Sequence, residues 1–156
     1  YDSQDSIYTD RRSNVMKAAL HERVTASGAK LSPQRKLVCK ILDRATDHPD
    51  AEQIFHRARK RDAKISLATT YRALKALVDL GLVVTHDFGD SRTRYEVKED
   101  DHHDHLICTT SGKVIEFHDP ELEALKKKIA TRLGYALESH SLELYGRPAS
   151  ADRRSS

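Results

Sequence analysis

"ISLATTYRALKALVDLGLVVTHDFGDSRTRYEV", residues 65–97, decides the fold. Ser66 stands where a helix N-cap hydroxyl is expected, and Leu67, Leu74, Leu77 and Val78 follow with the spacing of a buried helical stripe. Gly81 supplies a left-handed residue to end the helix. Two short runs, "LVVTH" (82–86) and "RTRYEV" (92–97), then flank "DFGDS". A glycine-containing loop between two such runs reads as a β-hairpin.

Upstream, "LSPQRKLVCKILDRA" (31–45) has Ser32 as N-cap, Pro33 at the first helical position and an apolar stripe of Leu37, Val38, Ile41 and Leu42. Cys39 falls in this helix and reads as a core residue. "DHPDAEQIFHRARKRD" (47–62) gives another helix, with Asp50 as N-cap and Ile54, Phe55 and Ala58 on one side. A further helix is expected from about Asn14 to Ser27, closed by Gly28. The helices opened by Ser32, Asp50 and Ser66, followed by a hairpin, have the order of a winged helix-turn-helix.

Downstream, "KEDD" (98–101) is a short charged linker. After it come a strand "HHDHLICT" (102–109), a turn, a strand "KVIEF" (113–117), a helix from about Asp119 to Leu133 and a final strand "YALESHSLELYG" (135–146). Asp119, Pro120 and Glu121 give that helix a cap, a first-position proline and a first-turn acid. The fold class is therefore α+β. A winged-helix domain over residues 1–97 has residues 1–13 as a loose extension; a hinge follows at 98–101. An α/β unit occupies 102–148, and 149–156 form a disordered tail. The α/β unit has a small core, which favours burial against a second copy.

The 156 residues are 33% charged and 38% hydrophobic, as in a globular protein with modest cores. No run approaches the roughly 20 apolar residues of a membrane span, and no signal-peptide pattern opens the given residues. Two cysteines, Cys39 and Cys108, make no disulfide framework. Both features lead to the expectation of a cytoplasmic protein. The net charge of +3 is uneven: residues 1–97 carry +5 and residues 98–156 carry −2. Phosphate attraction in the front half fits that asymmetry. The face of the 66–80 helix opposite its stripe carries Ser66, Thr69, Arg72, Lys75 and Asp79, flanked by Thr70 and Tyr71. N-terminal residues of a recognition helix reach the major groove; threonine methyls and a tyrosine ring suit thymine methyls, and Arg72 and Lys75 suit phosphate or guanine.

"HHDH" (102–105) concentrates metal-ligand chemistry before an apolar strand. Successive side chains of a strand point to opposite faces, so His103 and His105 share one face while His102 and Asp104 share the other. Two metals on two sides of one strand follow. Glu96 and Glu116 are candidate partners, as are Glu123 and His140 for the other face, and His48 remains as an inner-looking histidine. His21, His56, His86 and His118 receive no role. An enzyme is not expected: a catalytic metal needs an open position, and no His-Glu-x-x-His helix is present.

These segments together resemble the ferric uptake regulator (Fur) superfamily of metal-dependent repressors, over about residues 28–146. The carriers are "DHPDAEQIFHRA", "ISLATTYRALKALVDLGLV", "RYEV", "HHDHLIC", "GKVIEF" and "HSLELYG". The resemblance implies a sensory site at His48, Glu96, His103, His105 and Glu116, and a second site at His102, Asp104, Glu123 and His140. It implies DNA contacts at Lys30 and Arg35 and at Thr69, Tyr71 and Arg72. It further implies a homodimer, or a tetramer of paired dimers, on double-stranded palindromic operator DNA, controlling iron uptake and homeostasis genes. Three imidazoles and two carboxylates without a thiolate suit Fe²⁺ or Mn²⁺ at the sensory site, with iron first and a manganese-responsive regulator as the alternative. Zn²⁺, Fe²⁺ or Mn²⁺ suits the second site. Many members hold a structural zinc with two Cys-x-x-Cys pairs; here Cys108 and Ser111 occupy the first pair and no cysteine follows. A four-thiolate zinc is therefore excluded.

Overall fold

The computed structural model describes residues 18–99 and 102–149, which fall into two compact units. The expected extension over 1–13, half of the 98–101 hinge and the tail after 149 lie outside the described residues.

The first unit contains helices α1 (Leu20–Ala26), α2 (Pro33–Arg44), α3 (Ala51–Arg59) and α4 (Leu67–Asp79), then strands β1 (Val83–Asp87) and β2 (Thr93–Val97). The expected caps are in place. Ser32 Oγ accepts the Arg35 amide at 3.2 Å and Ser66 Oγ accepts that of Thr69 at 3.1 Å. Asp50 accepts the Gln53 amide at 2.8 Å while the Gln53 side chain accepts that of Asp50 at 2.9 Å, a reciprocal box. Gly81 follows α4 at φ +68°, where a Cβ would be strained. Each cap satisfies amides that the first helical turn cannot.

Leu20, Val24, Val38, Cys39, Leu42, Ile54, Leu74, Leu77 and Val83 form the core. Cys39 is a core residue as expected, and burial pushes its thiol up to about 11. The first helix is shorter than expected, beginning at Leu20, and the part of that expectation before residue 18 lies outside the described residues.

Strands β1 and β2 pair antiparallel, with Val83 opposite Val97 and His86 opposite Arg94. The outer edge of β2 is stitched to the loop before α3. The Tyr95 amide donates to the Pro49 carbonyl at 3.0 Å, and the Arg94 guanidinium donates to the His48 carbonyl at 3.3 Å. His48 itself takes a left-handed backbone conformation, φ +47°, which is uncommon for a residue with a Cβ.

The second unit contains β3 (Asp104–Cys108), β4 (Val114–Phe117), α5 (Pro120–Arg132) and β5 (Glu143–Gly146). The sheet order is β4-β3-β5, antiparallel on one side of β3 and parallel on the other. Asp119 caps α5 by accepting the amides of Glu121 and Leu122 at 2.9 and 3.2 Å. Two strand expectations shorten: β3 starts at Asp104, leaving His102 and His103 before it, and only Glu143–Gly146 of the 135–146 run is strand. None of the residues of α5 is buried, and Leu125, Ile129 and Leu133 stand exposed four residues apart. The β5 side chains of Leu144 and Tyr145 are exposed as well. No described helix is long and apolar enough to cross a membrane.

Candidate metal centres and nucleic-acid face

Helix α4 turns Tyr71, 48% exposed, and Arg72 outward beside a half-buried Thr69. Lys75 and Asp79, farther along the same side, pair with each other at 2.9 Å. Lys30 and Arg35 are exposed, and line a small cleft of about 30 Å³ with Leu31, Ala76 and Leu80. Thr70 corrects an expectation. It is 0% exposed, and its hydroxyl donates to the Ser66 carbonyl at 3.1 Å. The buried stripe runs through Thr70, Ala73, Leu74 and Leu77, so Thr70 faces the core and is unavailable to DNA.

In the same unit, Glu96 gathers two imidazoles. Its Oε2 lies 3.3 Å from His48 Nε2 and 2.8 Å from His86 Nε2. The His86 ring stacks on Phe88 at 5.3 Å between centroids, and His48 meets Phe88 edge-on at 6.1 Å. His86 had been assigned no role. The signal for it is the hairpin register: Val84 opposes Glu96, so His86 is a diagonal neighbour of Glu96 on the same face.

In the second unit, the expected ligands at and just before β3 fall into two groups. His105 is opposite Glu116 on β4, and the His103 ring stands 5.0 Å from that of His105. On the other side, His102 Nε2 lies 3.2 Å from Asp104 Oδ1, and His140 Nε2 lies 3.3 Å from Glu123 Oε1. The His102 and His140 rings are 3.8 Å apart. One donor atom from each of His102, Asp104, Glu123 and His140 falls within 4.8 Å of the others. Donors sharing one ion at about 2.0–2.2 Å are separated by roughly 3.3–4.4 Å, so these four fit an ion with little movement.

Lys126, absent from the sequence reading, enters the same cluster. Its Nζ lies 2.8 Å from Asp104 Oδ2 and 2.8 Å from Glu123 Oε1. That ammonium holds Glu123 below the usual carboxylate range. Burial acts to lower the Lys126 pKa, but the hydrogen bonds to Asp104 and Glu123 outweigh it and the net direction is upward.

Cys39 and Cys108, the two cysteines of the 156 residues, are both free thiols and do not pair. Cys108 ends β3 and is buried. Hydrogen bonds from Ser111 and Thr110 pull its thiol down to about 6, and its Sγ lies 3.1 Å from Thr110 Oγ1.

Residues 26–145 match the model of the Ferric uptake regulator family. A ferric uptake regulation protein from Rhizobium leguminosarum bv. viciae is 47% identical over 129 residues, 83% of this chain and 91% of that protein. The solved structure of a zinc-bound manganese uptake regulator is 46% identical with a TM-score of 0.76, over 84% of this chain and 99% of that one. The Helicobacter pylori ferric uptake regulator Fur, whose structure was described as revealing three functional metal binding sites, is 31% identical with a TM-score of 0.76, over 88% and 91%. Regulators of this family are not enzymes, and they bind operator DNA as dimers. Fold, paired metal-binding clusters and sequence agree: the chain belongs to the ferric uptake regulator family, as a metal-binding transcriptional regulator.

Proposed function

We propose that this chain is a cytoplasmic repressor of iron uptake and homeostasis genes that grips a palindromic operator as a homodimer when Fe²⁺ fills a sensory site. His48 and Glu96 from the DNA-reading unit, with His103, His105 and Glu116 from the α/β unit, would hold that ion. The observation that carries the reading is the sorting of ligands by β3. His105 opposes Glu116 beside His103 on one face, while Asp104 and His102 serve the other. One ion drawing donors from both units would fix the angle of the reading helix relative to its twin. Couplings of this kind are typically about 1–3 kcal/mol, roughly 5- to 150-fold in DNA affinity.

The chain's own residues do the rest. Lys30 and Arg35 take phosphates, while Thr69, Tyr71 and Arg72 at the start of α4 reach base edges. The exposed stripe of Leu125, Ile129 and Leu133, with Leu144 and Tyr145, is the surface for the second copy. His102, Asp104, Glu123 and His140 hold a second ion, Zn²⁺, Fe²⁺ or Mn²⁺, within the α/β unit.

A second reading makes Mn²⁺ the effector. It is favoured by the 46% identity to a manganese uptake regulator over 84% of this chain. Gel-shift titration on a palindromic operator, with Fe²⁺ or Mn²⁺ buffered by chelator, tests both. Metal-independent affinity removes the sensing role; a reporter answering manganese but not iron in cells selects the second reading.

A further inference from the structure

The ammonium of Lys126 sits where a metal would need to draw charge. It contacts one oxygen of each carboxylate in the second cluster, Asp104 Oδ2 and Glu123 Oε1, both at 2.8 Å. Asp104 is 1% exposed, and two carboxylates beside two imidazoles leave negative charge that is expensive to bury without a counter-charge. Lys126 supplies one. Glu123 and Lys126 lie three residues apart on α5, so the helix delivers a ligand and a cation from the same side.

We propose that Lys126 is a resident counter-ion of the His102, Asp104, Glu123 and His140 cluster, competing with a divalent cation for its carboxylates and so setting the free-metal concentration at which that site fills. The inference rests on the reading of this cluster as the second metal site. A divalent ion ligated by Asp104 and Glu123 would lie within a few ångströms of the ammonium, and like charges that close repel strongly where water is scarce. The lysine must then withdraw or remain as a standing penalty. Its stem permits withdrawal: the side chain is 16% exposed, and a flexible four-carbon chain can carry its head to water. With the lysine in place, the α/β unit keeps its acids neutralised before any metal arrives.

The test uses the full chain with His103→Ala and His105→Ala, so that Zn²⁺ titrated against a chelator reports on the second cluster. Lys126→Gln, which removes the charge but keeps a donor for Asp104, is expected to bind Zn²⁺ roughly tenfold more tightly or better. Its metal-free form should melt lower, with a larger rise on adding Zn²⁺. Lys126→Arg should bind no more tightly than the parent. On the unmodified chain, amine-reactive labelling read by mass spectrometry should show Lys126 becoming more reactive with Zn²⁺, while Lys60 stays unchanged. Equal or weaker binding by Lys126→Gln, or labelling of Lys126 that stays flat or falls, overturns the competition. Zn²⁺ binding indifferent to both Lys126→Gln and His140→Ala removes the second site itself. Binding abolished by His140→Ala yet untouched by Lys126→Gln removes only the role of the lysine.

Discussion

His86 Nε2 stands 2.8 Å from Glu96 Oε2, closer than the 3.3 Å of His48 Nε2. A partner that holds a ligating carboxylate fixes its orientation and commonly changes metal affinity 10- to 100-fold. His86→Ala is therefore expected to weaken metal-dependent operator binding by roughly tenfold or more while leaving the melting temperature of the metal-free chain nearly unchanged. An unaltered metal titration midpoint would mean that Glu96 needs no such support.

The two faces of β3 predict separable phenotypes. His103→Ala should shift the metal concentration needed for operator binding. His140→Ala should act mainly on dimer stability, read by sedimentation over a range of protein concentrations. Indistinguishable effects would contradict the division of ligands by face.

Tyr71 and Thr70 are sequence neighbours with opposite surroundings, and substitution should separate them. Tyr71→Ala is expected to cut operator affinity with little loss of stability. Thr70→Ala should lower unfolding free energy by about 1–2 kcal/mol, because it deletes buried atoms and the bond to the Ser66 carbonyl. Chemical denaturation and gel-shift titration of both variants check this.

The thiols differ in acidity. Cys108 is held down to about 6 and Cys39 pushed up to about 11. Below pH 6 the Cys108 thiol is protonated, and as pH rises through that value it becomes the reactive thiolate. Both thiols are buried, but alkylation of Cys108 should rise as pH climbs toward neutrality and run well ahead of Cys39, which stays unmodified until the chain unfolds. Mass spectrometry of iodoacetamide-treated protein between pH 5 and 9 distinguishes them.

Leu133 is 69% exposed at the end of the α5 stripe. Leu133→Asp should shift the chain toward monomer in sedimentation and weaken operator binding, with helical content preserved. A dimer of unchanged strength would place the second copy elsewhere.

Much of this was readable from local chemistry. Ser32 with Pro33, Asp50 and Ser66 announce helix starts because a cap is a three-residue event. His103 does stand beside His105 and His102 beside Asp104, as an extended run would place them, although β3 itself begins only at Asp104. Thr70 was misjudged because an apolar stripe read from Leu67, Leu74, Leu77 and Val78 leaves its edges undefined by a residue. The burial of Thr70 and Ala73 rotates it. The run at 135–142 was expected to belong to the final strand, yet no strand forms there and β5 begins at Glu143. His86 needed the hairpin register and Lys126 needed the meeting of α5 with β3; neither is a property of a short window.

Strand β2 carries Glu96 and, two residues away, Arg94, which reaches Asp90 in the hairpin loop at 2.5 Å and the His48 carbonyl at 3.3 Å. Tyr95, between them, is tied to Pro49. Five extended residues span about 16 Å, so β2 joins the Glu96 carboxylate to the hairpin loop. If Glu96 takes the proposed ion, the expected consequence is a tilt of the loop at the other end, and the wing would serve as the pointer of the gauge.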